Sequence, residues 1–214
     1  AQVHHLVGHR GENGRIIRPR ITPPKATTII TCDGDHYVLE GLEITGIPVP
    51  KSEQILGIQH NCDGLVIRNC YIHHLTYKPL VGTPTSGSIT MEFCEIESCE
   101  RLDIWSWRKG YQAIVRFCYF HDMHDTMLKT HAWRNVICYN WFENTFNSAI
   151  RVVDQLGRMS NLDPSAYPMH TDIVGNVFVQ GWSPGVRWAE FSIGAEDAYS
   201  AGTEGDFTIA HNLF

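Results

Sequence analysis

Apolar and polar residues alternate along the chain in a short pattern that recurs in eight copies. Each copy has an apolar residue three positions before a shared position, called the anchor here, and another apolar residue two positions after it. The anchors are Pro19, Leu42, Cys70, Cys94, Cys118, Asn140, Asn176 and Asn212. Both flanking columns are apolar in every copy, so each copy predicts two short strands that bury one side.

The spacing of the anchors predicts a coil. Successive anchors differ by 23, 28, 24, 24, 22, 36 and 36 residues, which indicates a period of 22–24 with three insertions. Two short apolar strands in each such period are typical of a parallel β-solenoid. Leucine-rich repeats have an overlapping period, but they need several leucines per unit, and these columns are β-branched and aromatic. We therefore predict an all-β solenoid of about eight rungs, with residues 1–214 as one domain.

Several segments interrupt the coil. Two prolines in 46–53 predict a surface loop, and the polar run TCDGDH (31–36) predicts a turn. Further insertions are expected at 154–168 and somewhere within 188–206. Loops on one edge of a rigid solenoid often carry functional sites, but they are also tolerated as plain surface excursions, and both interpretations stay open.

The anchors themselves predict core structure. Cys70, Cys94 and Cys118 would stack with parallel side chains, which suits buried thiols better than disulfides or a zinc site. Inward amides at the Asn anchors would form a ladder of hydrogen bonds. Phe142 should pack between Phe120 and Phe178 in one internal stack.

Composition narrows the function. A net charge of -6 and a pI near 6.0 give no reason to expect nucleic-acid binding, and no apolar run is long enough to span a membrane. The chain begins with Ala1-Gln2, as a mature secreted protein or a fragment would. It ends at Phe214, in the middle of a rung. We therefore expect an excerpt of a longer chain, or an open rung that another subunit covers.

One outward column could carry chemistry. The residue eleven positions after an anchor follows an apolar residue, so it should point out of the coil. This predicts a surface column of Trp105, Lys129, Arg151 and Arg187, with Trp107 and His131 on the same strands. Exposed indoles suit a saccharide, because aromatic rings stack on the faces of sugars. The neighbouring cations suit an acidic one, because guanidinium groups bind carboxylates. The plainer interpretation is a solvated edge with ion pairs between rungs.

The rungs resemble those of the right-handed parallel β-helix in the pectate-lyase-like superfamily, which often read I-x-x-N-x-[IF]. A right hand also follows from the usual rule for parallel crossovers. The segment MLKTHAWRNVICYNWFENTFNSAIRV (127–152) is similar to the polysaccharide lyases that include chondroitinase B and alginate lyases. That resemblance implies Lys129 as catalytic base and Arg151 as catalytic acid.

The same resemblance implies a calcium ion that neutralises the uronate carboxylate. Its carboxylate ligands precede the Lys by a few residues, where this chain has Asp122 and Asp125, with His124 departing from the pattern. Trp105, Trp107, His131 and Arg187 are then expected to bind substrate. The expected function is β-eliminative cleavage of an acidic, uronate-containing polysaccharide. The alternative is a non-catalytic β-helix module of a phage spike, adhesin or extracellular filament.

Overall fold

The protein is a parallel β-solenoid in a computed structural model that describes residues 2–10, 16–50, 52–105, 110–154, 169–179, 189–195 and 205–214. These residues contain strands and no helix, so the all-β prediction is confirmed. No helix among them is available to cross a bilayer. Each regular turn places one strand on each of three faces, called face 1, face 2 and face 3 in chain order.

The strands of each face stack in parallel along the coil axis. Face 1 contains β1 (Val3–Val7), the second halves of β5 (Thr28–Glu40) and β7 (Leu56–Arg68), β10 (Ser88–Glu92), β13 (Gln112–Arg116), β16 (Arg134–Cys138), β19 (Met169–Val174) and β22 (Gly205–Ala210). Face 2 contains β4 (Arg20–Ile21), β6 (Glu43–Thr45), β8 (Tyr71–His73), β11 (Glu95–Glu97), β14 (Tyr119–His121), β17 (Trp141–Glu143) and β20 (Val177–Val179). Face 3 contains the first halves of β5 and β7, β9 (Leu80–Gly82), β12 (Leu102–Ile104), β15 (Leu128–Thr130), β18 (Ser148–Asp154) and β21 (Ala189–Ala195).

The amino-terminal part differs from the prediction. The polar run at 31–36 is not a turn, because β5 continues through it and pairs with β7 over nearly its whole length. These two long strands join faces 1 and 3 into one 13-stranded sheet. A short antiparallel pair, β2 (His9–Arg10) with β3 (Ile16–Ile17), precedes them. Residues 46–50 lie between β6 and β7 without strand structure, as the two prolines predict.

The coil has about five turns, fewer than the eight rungs predicted. Turns from β7 to β21 place separate strands on all three faces, whereas the anchors Pro19 and Leu42 precede this regular part. The last anchor, Asn212, is followed only by a bridge between Leu213 and Val177. One predicted insertion, 188–206, also contains β21. The predicted insertion at 154–168 lies outside the described residues apart from Asp154, which ends β18.

Two corners of face 2 are formed by single residues with a left-handed backbone. The residue just before the anchor has positive φ in seven of the eight repeat copies, namely Gly41, Asn69, Phe93, Phe117, Tyr139, Gly175 and His211. The opposite corner uses His74, Ser98, Asp122 and Asn144. Because positive φ is uncommon for residues other than glycine, this regular recurrence shows that turn geometry, not residue type, sets the corner.

The interior is filled by the predicted columns. Phe142 is buried and its ring stacks between Phe120 and Phe178, at centroid distances of 5.0 and 5.1 Å. All seven cysteines are free thiols, and the Cys70–Cys94–Cys118 column is buried as predicted. Asn176 accepts hydrogen bonds from the backbone N and the side-chain Nδ2 of Asn140, at 2.9 and 3.0 Å. Asn212 repeats this contact with Asn176, so the asparagine ladder is confirmed.

Candidate functional site

Three charged residues stand in register on face 3. Lys129 in β15 pairs with Asp103 in β12 on one side and with Arg151 in β18 on the other. Their neighbours Leu128 and Ile150 belong to the core. By strand alternation the charged side chains therefore point away from the core, and Lys129 and Arg151 are neighbours as predicted.

Trp105 does not occupy the predicted place in this column. Asp103 takes it, because the segment between the anchor and face 3 is two residues shorter after Cys94 than after Cys118. A shift by two residues keeps a side chain on the same side of a sheet. Trp105 therefore still lies on the outer side, but its neighbour is His131, with ring centroids 5.0 Å apart.

Lys129 is not exposed at the surface. It is only 2% exposed, and Asp103 is 1% exposed, although both point away from the core. Arg151 is half-buried. The prediction of a solvent-facing Lys129 is wrong. Strand alternation predicts on which side of the sheet a side chain lies, but it does not predict whether other parts of the protein cover that side.

Asp103 is the centre of a buried polar cluster, the Asp103 cluster, formed with Lys78, Arg101, Trp105 and His131. Lys78 Nζ lies 2.9 Å from Asp103 Oδ2, and Arg101 Nε lies 3.6 Å from the same oxygen. Trp105 Nε1 donates to Oδ1 at 2.8 Å, and His131 Nε2 lies 3.6 Å from Oδ1. Both carboxylate oxygens are thus engaged, as a buried charge requires.

The electrostatics of the cluster favour an ionised Asp103. Burial alone would raise the pKa of this carboxyl, but interactions with His131 and Lys78 outweigh burial and leave the pKa well below its usual range. Arg101 also contacts Asp125, with Nη1 2.6 Å from Oδ2. With Lys129 and Arg151 included, basic side chains outnumber the two carboxylates here, so this side of the sheet is electropositive.

The two predicted calcium ligands are already engaged by other partners. Asp125 contacts Arg101 and also accepts a hydrogen bond from Asn147 at 2.9 Å. Asp122 contacts His121 Nδ1 at 2.9 Å and accepts from Asn144 at 3.1 Å. Calcium takes six to eight oxygen ligands, and a guanidinium beside one of them opposes a divalent cation. Asp122 and Asp125 therefore do not fit a calcium site, and the mechanism below does not use a calcium ion.

The outer side of face 2 carries a separate column of His and Glu residues. His73, Glu97, His121 and Glu143 occupy equivalent positions on successive strands. His121 Nε2 lies 3.4 Å from both Glu95 and Glu97. Burial would lower the pKa of His121, but hydrogen bonds with Asp122 and Glu95 raise it above its usual value.

An exposed aromatic stack lies at the corner between faces 1 and 2. Phe93, Phe117 and Tyr139 have positive φ, and their rings stack nearly parallel at 5.1 and 5.5 Å. The ring faces between Phe93, Phe117 and Tyr139 are covered by the neighbouring ring. A sugar stacks on a ring face, and we therefore do not count this stack as a saccharide platform.

Sequence reasoning missed Lys78, Arg101 and Asp103. The segment LDIW (102–105) offers two apolar residues, Leu102 and Ile104, that fit either register equally well. The shorter turn after Cys94 could have been found by matching Leu102-Asp103-Ile104 with Leu128-Lys129-Thr130. Lys78 lies in a turn, where no periodic pattern marks it.

Trp107 and Arg187, two of the predicted substrate-binding residues, lie outside the described residues. The column through Lys129 and Arg151 continues at Ser192 in β21, so the predicted place of Arg187 in that column is wrong. The column residue lies farther from the anchor Asn176 than the eleven positions that the prediction assumed.

No family model matches the chain, and no curated protein or solved structure matches it either. The parallel β-solenoid rests on the strand register given above. Membership of the pectate-lyase-like superfamily stays a prediction.

Proposed function

We propose that the outer side of face 3 binds an acidic, uronate-containing polysaccharide and cleaves it by β-elimination. The observation that carries this proposal is the register of Lys129 and Arg151 on adjacent parallel strands, beside the buried carboxylate of Asp103. Adjacent strands lie about 4.8 Å apart, so the two side chains can reach groups on one sugar ring.

The reaction requires a base, an acid and a group that stabilises the carboxylate. In this proposal the Lys129 amine takes the proton from the carbon next to the uronate carboxylate. The electron pair of that C–H bond forms a C=C double bond as the adjacent C–O glycosidic bond breaks. The leaving oxygen receives its proton from Arg151, the proposed catalytic acid. Cations of the site stabilise the negative charge that develops on the carboxylate.

Binding begins at the half-buried Arg151, since Lys129 is covered. A guanidinium forms paired hydrogen bonds with a carboxylate, which gives the first contact both charge and direction. Trp105 and His131 add ring surface beside Asp103. The groups that cover Lys129 must move before the sugar reaches it. We propose Trp107 as a further contact, and a secreted location follows from an extracellular polymer.

The test is product formation with a matched set of variants. The protein is incubated with pectate, alginate and glycosaminoglycans, and the unsaturated uronate product is followed by its ultraviolet absorbance. Lys129→Met and Arg151→Gln should abolish turnover. Arg134→Gln, an exposed Arg at the start of β16 on face 1, should retain it. Circular dichroism confirms that each variant is folded. Full turnover in a folded Lys129→Met protein would contradict the proposal.

A second candidate function is a non-catalytic solenoid module. The burial of Lys129 and Asp103 favours it, since a covered polar cluster can serve packing alone. In that case the wild type yields no unsaturated product from any uronate polymer, while Lys129→Met still lowers stability. Substrate turnover by the wild type therefore separates the two candidates.

A further inference from the structure

Two histidines and a glutamate meet on the outer side of face 2. His73 ends strand β8, His74 follows it directly, and Glu97 ends the neighbouring strand β11. Glu97 and His73 are register partners in the parallel ladder. This group lies on a different face from the Asp103 cluster and takes no part in the proposed cleavage.

The ligand-type atoms of these residues converge on one point. His73 Nδ1 and His74 Nδ1 lie 2.7 Å apart, and His74 Nδ1 lies 3.6 Å from Glu97 Oε1. The three residues each offer one such atom within 4.8 Å of the others. Ligand atoms of a tetrahedral Zn²⁺ lie about 3.3–3.4 Å apart, so a small separation of the two imidazoles would let these three atoms coordinate a single ion.

The convergence depends on an unusual backbone conformation. Successive residues of a strand point to opposite sides of the sheet, so adjacent histidines normally diverge. His74 has a φ of 52°, which is the left-handed region. This turn of the chain brings the His74 ring back beside His73 in an edge-on arrangement, with centroids 5.0 Å apart.

Residues behind the ligands hold them in place. His73 Nε2 lies 3.2 Å from Glu43 Oε1, and a carboxylate there requires the proton on Nε2. The Nδ1 lone pair of His73 then faces His74 and Glu97, with the Thr45 hydroxyl 3.3 Å away. Tyr71 donates to Glu97 Oε1 at 2.5 Å, and its ring stacks on His73 at 4.0 Å. A carboxylate behind a coordinating His is the usual second-shell partner in metal sites.

We propose that His73, His74 and Glu97 form a binding site for a divalent transition metal of the Zn²⁺ type. Two nitrogens and one oxygen suit Zn²⁺, Co²⁺ or Ni²⁺ better than Ca²⁺ or Mg²⁺, which prefer oxygen ligands alone. The His74 side chain is 65% exposed, so the ion is reached from solvent and keeps a side open to water or an anion.

A neighbouring group, Glu95, Glu97 and His121, shares Glu97 but is less suited to a metal. Both ring nitrogens of His121 face carboxylates, Nδ1 toward Asp122 and Nε2 toward Glu95 and Glu97. Both nitrogens of this ring are therefore already engaged, whereas His74 Nδ1 faces only His73 and Glu97 in the contacts described above. The metal is therefore assigned to the His73 side of Glu97.

The test is metal binding by the whole chain after dialysis against a chelator. Calorimetry with ZnCl₂ should give one equivalent of tight binding, and CoCl₂ should give the visible absorption bands of nitrogen-bound Co²⁺. CaCl₂ should give neither. His74→Ala and Glu97→Gln should abolish the tight equivalent, and Glu43→Gln should weaken it about 10–100-fold.

Two control variants separate this site from others. His124→Ala removes an exposed histidine in a nearby turn, and Glu95→Gln removes a ligand of the neighbouring group only. Both should bind Zn²⁺ as the wild type does. The proposal is overturned if no stoichiometric binding occurs, if His74→Ala binds as tightly as the wild type, or if Glu95→Gln removes the tight equivalent. Histidine-rich surfaces bind Zn²⁺ weakly. If His74→Ala or Glu97→Gln altered only such weak binding, that result would also contradict the site.

Discussion

The Lys78 ammonium lies 2.9 Å from the Asp103 carboxylate, and both side chains are almost completely buried. Removing one partner of a buried ion pair leaves an uncompensated charge in a medium that solvates it poorly. Lys78→Met should therefore lower the free energy of unfolding by about 3–5 kcal/mol, measured by chemical denaturation.

The matched control for this pair is Arg116–Glu92, a partly exposed pair with a similar distance of 2.8 Å. Arg116→Met should cost no more than about 1 kcal/mol. The double variant Lys78→Met/Asp103→Leu should be at least as destabilised as Lys78→Met, because Asp103 also accepts from Trp105 Nε1 and contacts Arg101 and His131. Equal costs for Lys78→Met and Arg116→Met would show that burial adds nothing to the contact.

Buried His60 predicts a loss of stability in acid. Burial lowers the pKa of His60 to about 4, from an ordinary value of 6.5. Between these values the unfolded chain binds a proton that the folded chain does not, so the stability falls as pH decreases through this window. The fall should reach about 3 kcal/mol by pH 4. Denaturation curves at several pH values measure it.

The His60→Leu variant isolates this contribution from other titrating groups. Its unfolding free energy should change less than that of the wild type between pH 6.5 and pH 4. Parallel pH profiles for the two proteins would contradict a neutral, buried His60.

The asparagine ladder predicts a position-specific loss. Asn176→Ala removes the acceptor of two Asn140 donors and the Nδ2 donor to Ile137 O. These buried groups lose their partners, so the variant should be destabilised by about 3 kcal/mol. Asn147→Ala removes an exposed amide, and its effect should stay within about 0.5 kcal/mol. Thermal and chemical denaturation of both variants check the difference.

The internal aromatic stack offers a comparison within one short segment. Phe142→Ala should cost about 3–5 kcal/mol, because it opens a cavity between Phe120 and Phe178. Phe146 is 58% exposed only a few residues away, and Phe146→Ala should cost far less. Similar costs for the two substitutions would be incompatible with the observed stack.

The core of this fold could be predicted from the sequence, since the same columns repeat in every turn. The phenylalanine stack, the free thiols and the asparagine ladder all follow from residues that occupy one equivalent position. Periodicity averages over many copies, so one irregular turn does not hide such a column.

The candidate site was less predictable because it depends on single turns. A turn two residues shorter after Cys94 replaces Trp105 with Asp103 beside Lys129, and both registers keep apolar residues inward. Polar residues at 31–36 looked like a turn, yet they continue in a strand because β7 provides a long partner. The burial of Lys129 does not follow from strand alternation, which gives only the side of the sheet on which a residue lies. The group of His73, His74 and Glu97 needed the left-handed backbone of His74, which no pattern of residue types revealed.

Parallel stacking also gives the molecule a mechanical direction. Among the described residues, successive turns contact each other through backbone hydrogen bonds, the asparagine ladder, ion pairs such as Arg116–Glu92, and packed side chains. A load along that axis therefore pulls on non-covalent links arranged in series, and the turns should separate one after another at low force. A load across the axis is carried by the covalent chain within each turn. The solenoid should therefore extend easily under tension along its axis and resist deformation perpendicular to it.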